Sequence, residues 1–133
     1  GAELANAPPA SISVLSGDLH HSYVARAQFD DPGVRTPVHQ LTCSPIHNQT
    51  PAAMRQLIRL CWNPGPASAA QALARSAGVR RPTVRWKKLA GPYFGNAVAT
   101  LEHRGRGAEV VIEDATSDGH LREVARQRLA SVD

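Results

Sequence analysis

Residues 70–89, Ala-Gln-Ala-Leu-Ala-Arg-Ser-Ala-Gly-Val-Arg-Arg-Pro-Thr-Val-Arg-Trp-Lys-Lys-Leu, carry the strongest local signal in the chain. Residues 69–77 read as an Ala-rich helix with Ser68 as its N-cap. Gly78 stops that helix, because glycine accepts the positive φ that a tight helix end requires. Pro82 suits a first helical position, where its missing N–H costs nothing. The pattern therefore predicts another helix from 82 to about 89, ended by Gly91-Pro92.

Working outward, residues 51–61 read as an earlier helix. Thr50 stands where a cap is needed, Pro51 suits the first turn, and Met54, Leu57, Ile58 and Cys61 form one apolar stripe. Asn63-Pro64-Gly65-Pro66 ends it. Downstream the period changes to two: 96–103 and 108–113 read as strands joined by the basic turn Arg104-Gly105-Arg106-Gly107. A C-terminal helix over 118–131 is expected because Leu121, Val124, Ala125 and Leu129 fall on one face. Upstream, 1–10 read as a flexible leader, and 11–16, 22–29 and 36–43 as short strands, with turns at 17–21 and Asp30-Asp31-Pro32-Gly33.

The chain has 133 residues, 42% of them hydrophobic, 20% charged, with Gly 10 and Pro 10. That suits one globular domain over 11–133, able to fold without metal or disulfide. No window approaches the ~18 apolar residues of a membrane span, and no basic n-region leads into an apolar stretch, so no signal peptide is read and a cytoplasmic protein is expected. The net charge of +4 is unevenly placed. Between Arg75 and Arg106, eight basic residues face Glu102 alone, a local net of +7 that leaves −3 for the rest. A one-sided basic patch is the usual footprint of a polyanion partner; a solvated, Arg-rich surface is the plainer alternative.

Residues 70–89 resemble the helix-turn-helix of bacterial DNA-binding regulators, the lac repressor family among them. The matching positions are Leu73, Ala74, Ala77, Gly78, Val79, Thr83 and Val84, spaced Ala-x3-Gly-Val-x3-Thr-Val. Ala74 is small where two helices cross, Gly78 permits the turn, and Val79 and Val84 fill the wedge between helices. Lys87 departs from the pattern, since it stands where such motifs place an apolar residue. The helix before the motif and the hairpin after it look like a winged helix. The resemblance implies duplex DNA as partner, with Arg80, Arg81, Thr83 and Arg85 facing the groove, Arg75 and Lys88 on the backbone, and Arg104 and Arg106 at a wing tip. It also implies dimerisation through the C-terminal helix, unless that helix simply covers the core.

The expected fold is thus α+β. It has a winged helix-turn-helix core over 50–113 (three helices plus a two-stranded wing), a β-rich extension over 11–49 and a C-terminal helix. The expected function is transcriptional regulation.

Cys43 and Cys61 leave a second reading open. In an exported protein they close a disulfide around 17 intervening residues, giving a periplasmic or secreted binding or inhibitor protein with a protein partner. In the cytosol they are ordinary buried thiols. His39, Cys43, His47 and Cys61 are of zinc-compatible type, but Pro45 interrupts any helix that aligns them and no tight Cys-x2-Cys pair exists, so no cofactor is expected. Enzymatic motifs are missing: no Gly-x-Ser-x-Gly, no His-Glu-x-x-His, no phosphate-cradling glycine loop. A ribonuclease using His20 or His39 with an arginine needs only acid–base groups and a phosphate clamp, yet nothing positive points to one. A non-enzyme is expected.

Overall fold

The computed structural model describes residues 8–17, 19–43 and 50–131. Nine elements run in order along them: β1 (Ile12–Ser16), β2 (Ser22–Phe29), β3 (Val38–Thr42), α1 (Ala52–Trp62), α2 (Pro64–Ser76), β4 (Val84–Tyr93), β5 (Ala97–Arg104), β6 (Gly107–Ala115) and β7 (Leu121–Ala130). One sheet has the order β1-β3-β2-β4, the other β5-β6-β7. β1 runs parallel to β3, and every other pairing is antiparallel.

The core lies between the sheets. Val24 and Leu41 from the first meet Ala97, Ala108, Val110, Ile112 and Leu129 from the second. Ala108, Val110 and Ile112 alternate along β6, so one face of that central strand is apolar and buried. The anticipated hairpin is present as β5–β6, and Gly105 at its turn has φ +60°. The strands anticipated over 11–16, 22–29 and 36–43 are present as β1, β2 and β3.

The winged helix-turn-helix core is not. The segment expected to be its third helix, 82–89, lies instead in the irregular approach to β4 and in β4 itself. Val84 and Trp86 are β-formers, and six residues of β4 from Val84 to Ala90 find partners in β2, from Phe29 back to Val24. Pro82 precedes a strand rather than opening a helix. The C-terminal helix is likewise absent, and with it the dimer surface assigned to it: residues 121–130 form β7, paired to β6.

Two bulges explain the misleading spacing in β7. Its register slips at Val124 and again at Leu129, neither of which has a β6 partner. Each extra residue resets which face the next one occupies. Val124, Ala125 and Leu129 all reach toward the core from a strand while mimicking a helical stripe.

The helices also differ in detail. α2 begins at Pro64, and Ser68, expected as a cap, sits inside it with its hydroxyl donating to the Pro64 carbonyl. Thr50 does not cap α1; its hydroxyl donates to the His20 carbonyl at 2.6 Å. The apolar stripe of α1 is not buried: Met54 is 49% and Leu57 52% exposed. The helical hairpin touches the first sheet mainly at one end. There Trp62 packs edge-on to Tyr23 (ring centroids 5.3 Å) and to His21 (6.1 Å), with Arg59 over the Phe94 ring.

His39 is 3% exposed on β3, opposite Arg26 of β2, and its Nδ1 has no hydrogen-bond partner. Burial, reinforced by the Arg26 charge, holds its pKa below the ordinary 6.5. The folded state therefore prefers neutral His39. Its contribution to stability is complete above pH 6.5 and is lost as pH falls through that value toward the lowered folded pKa. The melting temperature should drop between about pH 7.5 and about pH 5, and drop less in a His39→Gln variant. Parallel falls in both proteins would assign the acid sensitivity to other groups.

Candidate nucleic-acid interface

Helix α2 closes with two bonds, Gly78 N–H to the Arg75 carbonyl and Val79 N–H to the Ala74 carbonyl, around Gly78 at φ +77°. Ala74, Gly78 and Val79 thus have local roles, but as a helix C-terminus leading to a strand rather than as a turn between two helices. Beyond the closure, residues 79–83 lead into the start of β4. Asp30 N–H donates to the Thr83 carbonyl at 3.3 Å, tying this segment to the end of β2.

The result is a cavity of about 330 Å³ at the corner of α2 and β4. Arg75, Arg80, Arg81 and Arg85 line it, together with the carboxylate of Asp30. Gln71, Ala74, Val79 and Pro82 supply the rest of its wall. Arg85 donates to Asp30 Oδ1 at 3.0 Å, and Arg75 Nε donates to the Gln71 carbonyl at 3.2 Å. Arg80 and Arg81 have no hydrogen-bond or ion-pair partner among the described residues. Four guanidinium groups and one carboxylate leave the cavity at +3.

Its surroundings reinforce that charge. No Asp or Glu occurs between Asp31 and Glu102, a stretch holding nine basic residues. Lys87 stands opposite Arg26 across β2–β4, on the strand face that also carries Arg85 opposite Gln28.

Of the residues expected at the interface, Arg75, Arg80, Arg81 and Arg85 are brought together, and Thr83 adjoins them through its carbonyl. Lys88 is diverted: its Nζ donates to the Cys61 and Trp62 carbonyls at 3.1 and 2.6 Å and lies 4.8 Å from the Trp62 ring centre. It caps the C-terminus of α1, where a cation complements the unsatisfied carbonyls.

Arg104 and Arg106 sit at the β5–β6 turn in the other sheet and line no part of the cavity. Arg104 pairs with Glu102, and Arg106 donates to the Pro8 carbonyl. The hollow beside Arg104 contains Arg126, Arg128, Glu102 and Glu109, with Arg126 bound to Glu109 and also to Glu123. Its charges are largely answered from within, unlike those of the α2–β4 corner.

Sequence alone marks Asp30 only as part of a turn, and the Arg26–Lys87 pairing needs the β2–β4 register. Nothing local marks either, although Asp30-Asp31 does border the acid-free stretch.

No disulfide joins Cys43 and Cys61. The Cys43 Sγ–H donates to the Ala97 carbonyl at 3.2 Å, and Cys61 is exposed on α1. Among the described residues no three His, Cys, Asp or Glu side chains assemble as a metal site; His47 lies outside those residues, as do residues 1–7 of the leader. Among the described residues no helix is long and apolar enough to cross a membrane. Compared with known proteins, the chain matches no family model, no curated protein and no solved structure.

Proposed function

We propose that this protein binds nucleic acid, duplex DNA included, by phosphate contacts at the α2–β4 corner rather than by inserting a helix into a groove. One observation carries the reading. Arg75, Arg80, Arg81 and Arg85 converge on a single cavity answered by Asp30 alone, inside a stretch that has no carboxylate of its own. Arginine presents a planar fork of donors that matches phosphate oxygens two at a time. Like charges so gathered repel one another until an anion enters, so the site is poised for a polyanion.

Phosphate contacts release counterions, which makes binding salt-dependent with a log–log slope of about −0.9 per contact. Four arginine contacts predict a slope of about −3.6 on a labelled mixed-sequence duplex observed by fluorescence anisotropy. Arg80→Ala/Arg81→Ala removes two contacts without breaking any internal bond, so the slope should fall to about −1.8 with the fold unchanged. Arg122→Ala, on β7 of the other sheet, serves as a control for the loss of a positive charge elsewhere and should leave the slope as it is. No binding at low salt would end this reading.

A further inference from the structure

The α2–β4 cavity is a small surface hollow, open to solvent and rimmed by exposed arginines. At about 330 Å³ it lies at the low end of pockets that hold small ligands, so the hollow itself suits one anionic group while the exposed arginines on its rim can meet further phosphates of a strand. Its net charge of +3 exceeds what one phosphodiester, with a single negative charge, can answer. A phosphate monoester carries about −1.5 to −2 near pH 7 and offers three acceptor oxygens.

The donors fit that count. Arg80 and Arg81 are unengaged, and Arg75 is engaged only through Nε, which donates back to α2 and leaves its terminal nitrogens open. Arg85 is held by Asp30, which fixes its fork at the cavity's edge. Val79, Pro82 and Ala74 give the same cavity an apolar wall, against which a sugar or base can rest.

We infer that this cavity is a phosphate-monoester pocket that captures the terminal phosphate of a nucleic-acid strand. The inference rests on the nucleic-acid reading above and names the part of the ligand that the site selects. Arg80 and Arg81 grip the terminal oxygens, Arg75 and Arg85 flank them, and Asp30 limits the charge so that the arginines do not splay.

The test compares three labelled oligonucleotides of one sequence, carrying a 5′-phosphate, a 3′-phosphate or hydroxyls at both ends, with adenosine monophosphate and inorganic phosphate as competitors. One phosphorylated oligonucleotide should bind about tenfold or more tightly than the hydroxyl form, as two added charge-assisted hydrogen bonds allow. Adenosine monophosphate should erase the difference, and Arg80→Ala/Arg81→Ala should abolish it while circular dichroism stays unchanged. Equal binding of all three oligonucleotides overturns the pocket and leaves the nucleic-acid reading intact. Binding of adenosine monophosphate or inorganic phosphate without any oligonucleotide keeps a monoester pocket but overturns capture of a strand end, and the nucleic-acid reading with it. No binding of any probe overturns both.

Discussion

Gly91→Ala should cost about 3 kcal/mol or more, enough to unfold a large share of a marginally stable domain. Gly91 lies in β4 at φ +101°, a backbone conformation that side-chain-bearing residues rarely adopt. A Cβ there would stand 2.7 Å from the Ser22 carbonyl oxygen, 2.9 Å from Tyr23 Cβ and 3.0 Å from Tyr23 Cα. These atoms belong to β2, which is central to its sheet, and Ser22 is fully buried. Neither strand can withdraw without opening the β2–β4 pairing and loosening Val24 from the core. Gly105→Ala is the matched comparison: φ is +60° and nothing lies within 4 Å of the added Cβ, so only about 1 kcal/mol of backbone strain is expected. Urea denaturation of the two variants beside the parent measures both. A Gly91→Ala protein as stable as Gly105→Ala would mean that β2 and β4 approach less closely than these distances require.

The close approach at Gly91 is also why part of this fold could not be read along the chain. A bare Gly91-Pro92 marks a terminator in any sequence pattern, yet here it lies within a ten-residue strand, β4. The β2–β4 register skips Leu89 and then slips again between Val24 and Ser22. Only the partner strand makes sense of these irregularities. Strands rich in β-formers and bounded by turn signals were legible: β2 at 22–29 alternates from Ala25 to Phe29, and β6 carries the β-branched apolar run Val110-Val111-Ile112 after a basic Gly-rich turn. β7 was not, because its bulges at Val124 and Leu129 convert a two-residue period into a helix-like one.

The resemblance to a helix-turn-helix failed for a related reason. Ala74, Gly78 and Val79 satisfy any helix that closes on a left-handed glycine, and that half of the pattern is present. The conformation of the chain beyond such a closure is decided by tertiary pairing, and Thr83-Val84-Arg85-Trp86 is better suited to a sheet edge than to a helix. The candidate site was legible as a density of arginine between 75 and 85. Its membership was not, since Lys88 is taken by the end of α1, Arg104 by Glu102, and Asp30 enters from far upstream.

That division of the basic residues sets up the largest effect on binding. Arg80→Glu/Arg81→Glu turns the cavity from +3 to −1 while disturbing no bond among the described residues. Two phosphate contacts disappear and two repulsive charges replace them, so affinity for duplex DNA at low salt should fall about 100-fold or more, with the melting temperature unaltered. Arg104→Glu/Arg106→Glu makes the same change in net charge on the β5–β6 turn. If binding answered to overall charge alone, the two variants would lose affinity equally. Because the hairpin tip lines no part of the cavity and Arg104 is already paired, its variant should stay within about threefold of the parent at physiological salt, where charges beyond a Debye length of about 8 Å are largely screened. Equal losses in the two variants at that salt would show that the arginines act as a diffuse field and that their convergence at α2 and β4 has no bearing on recognition.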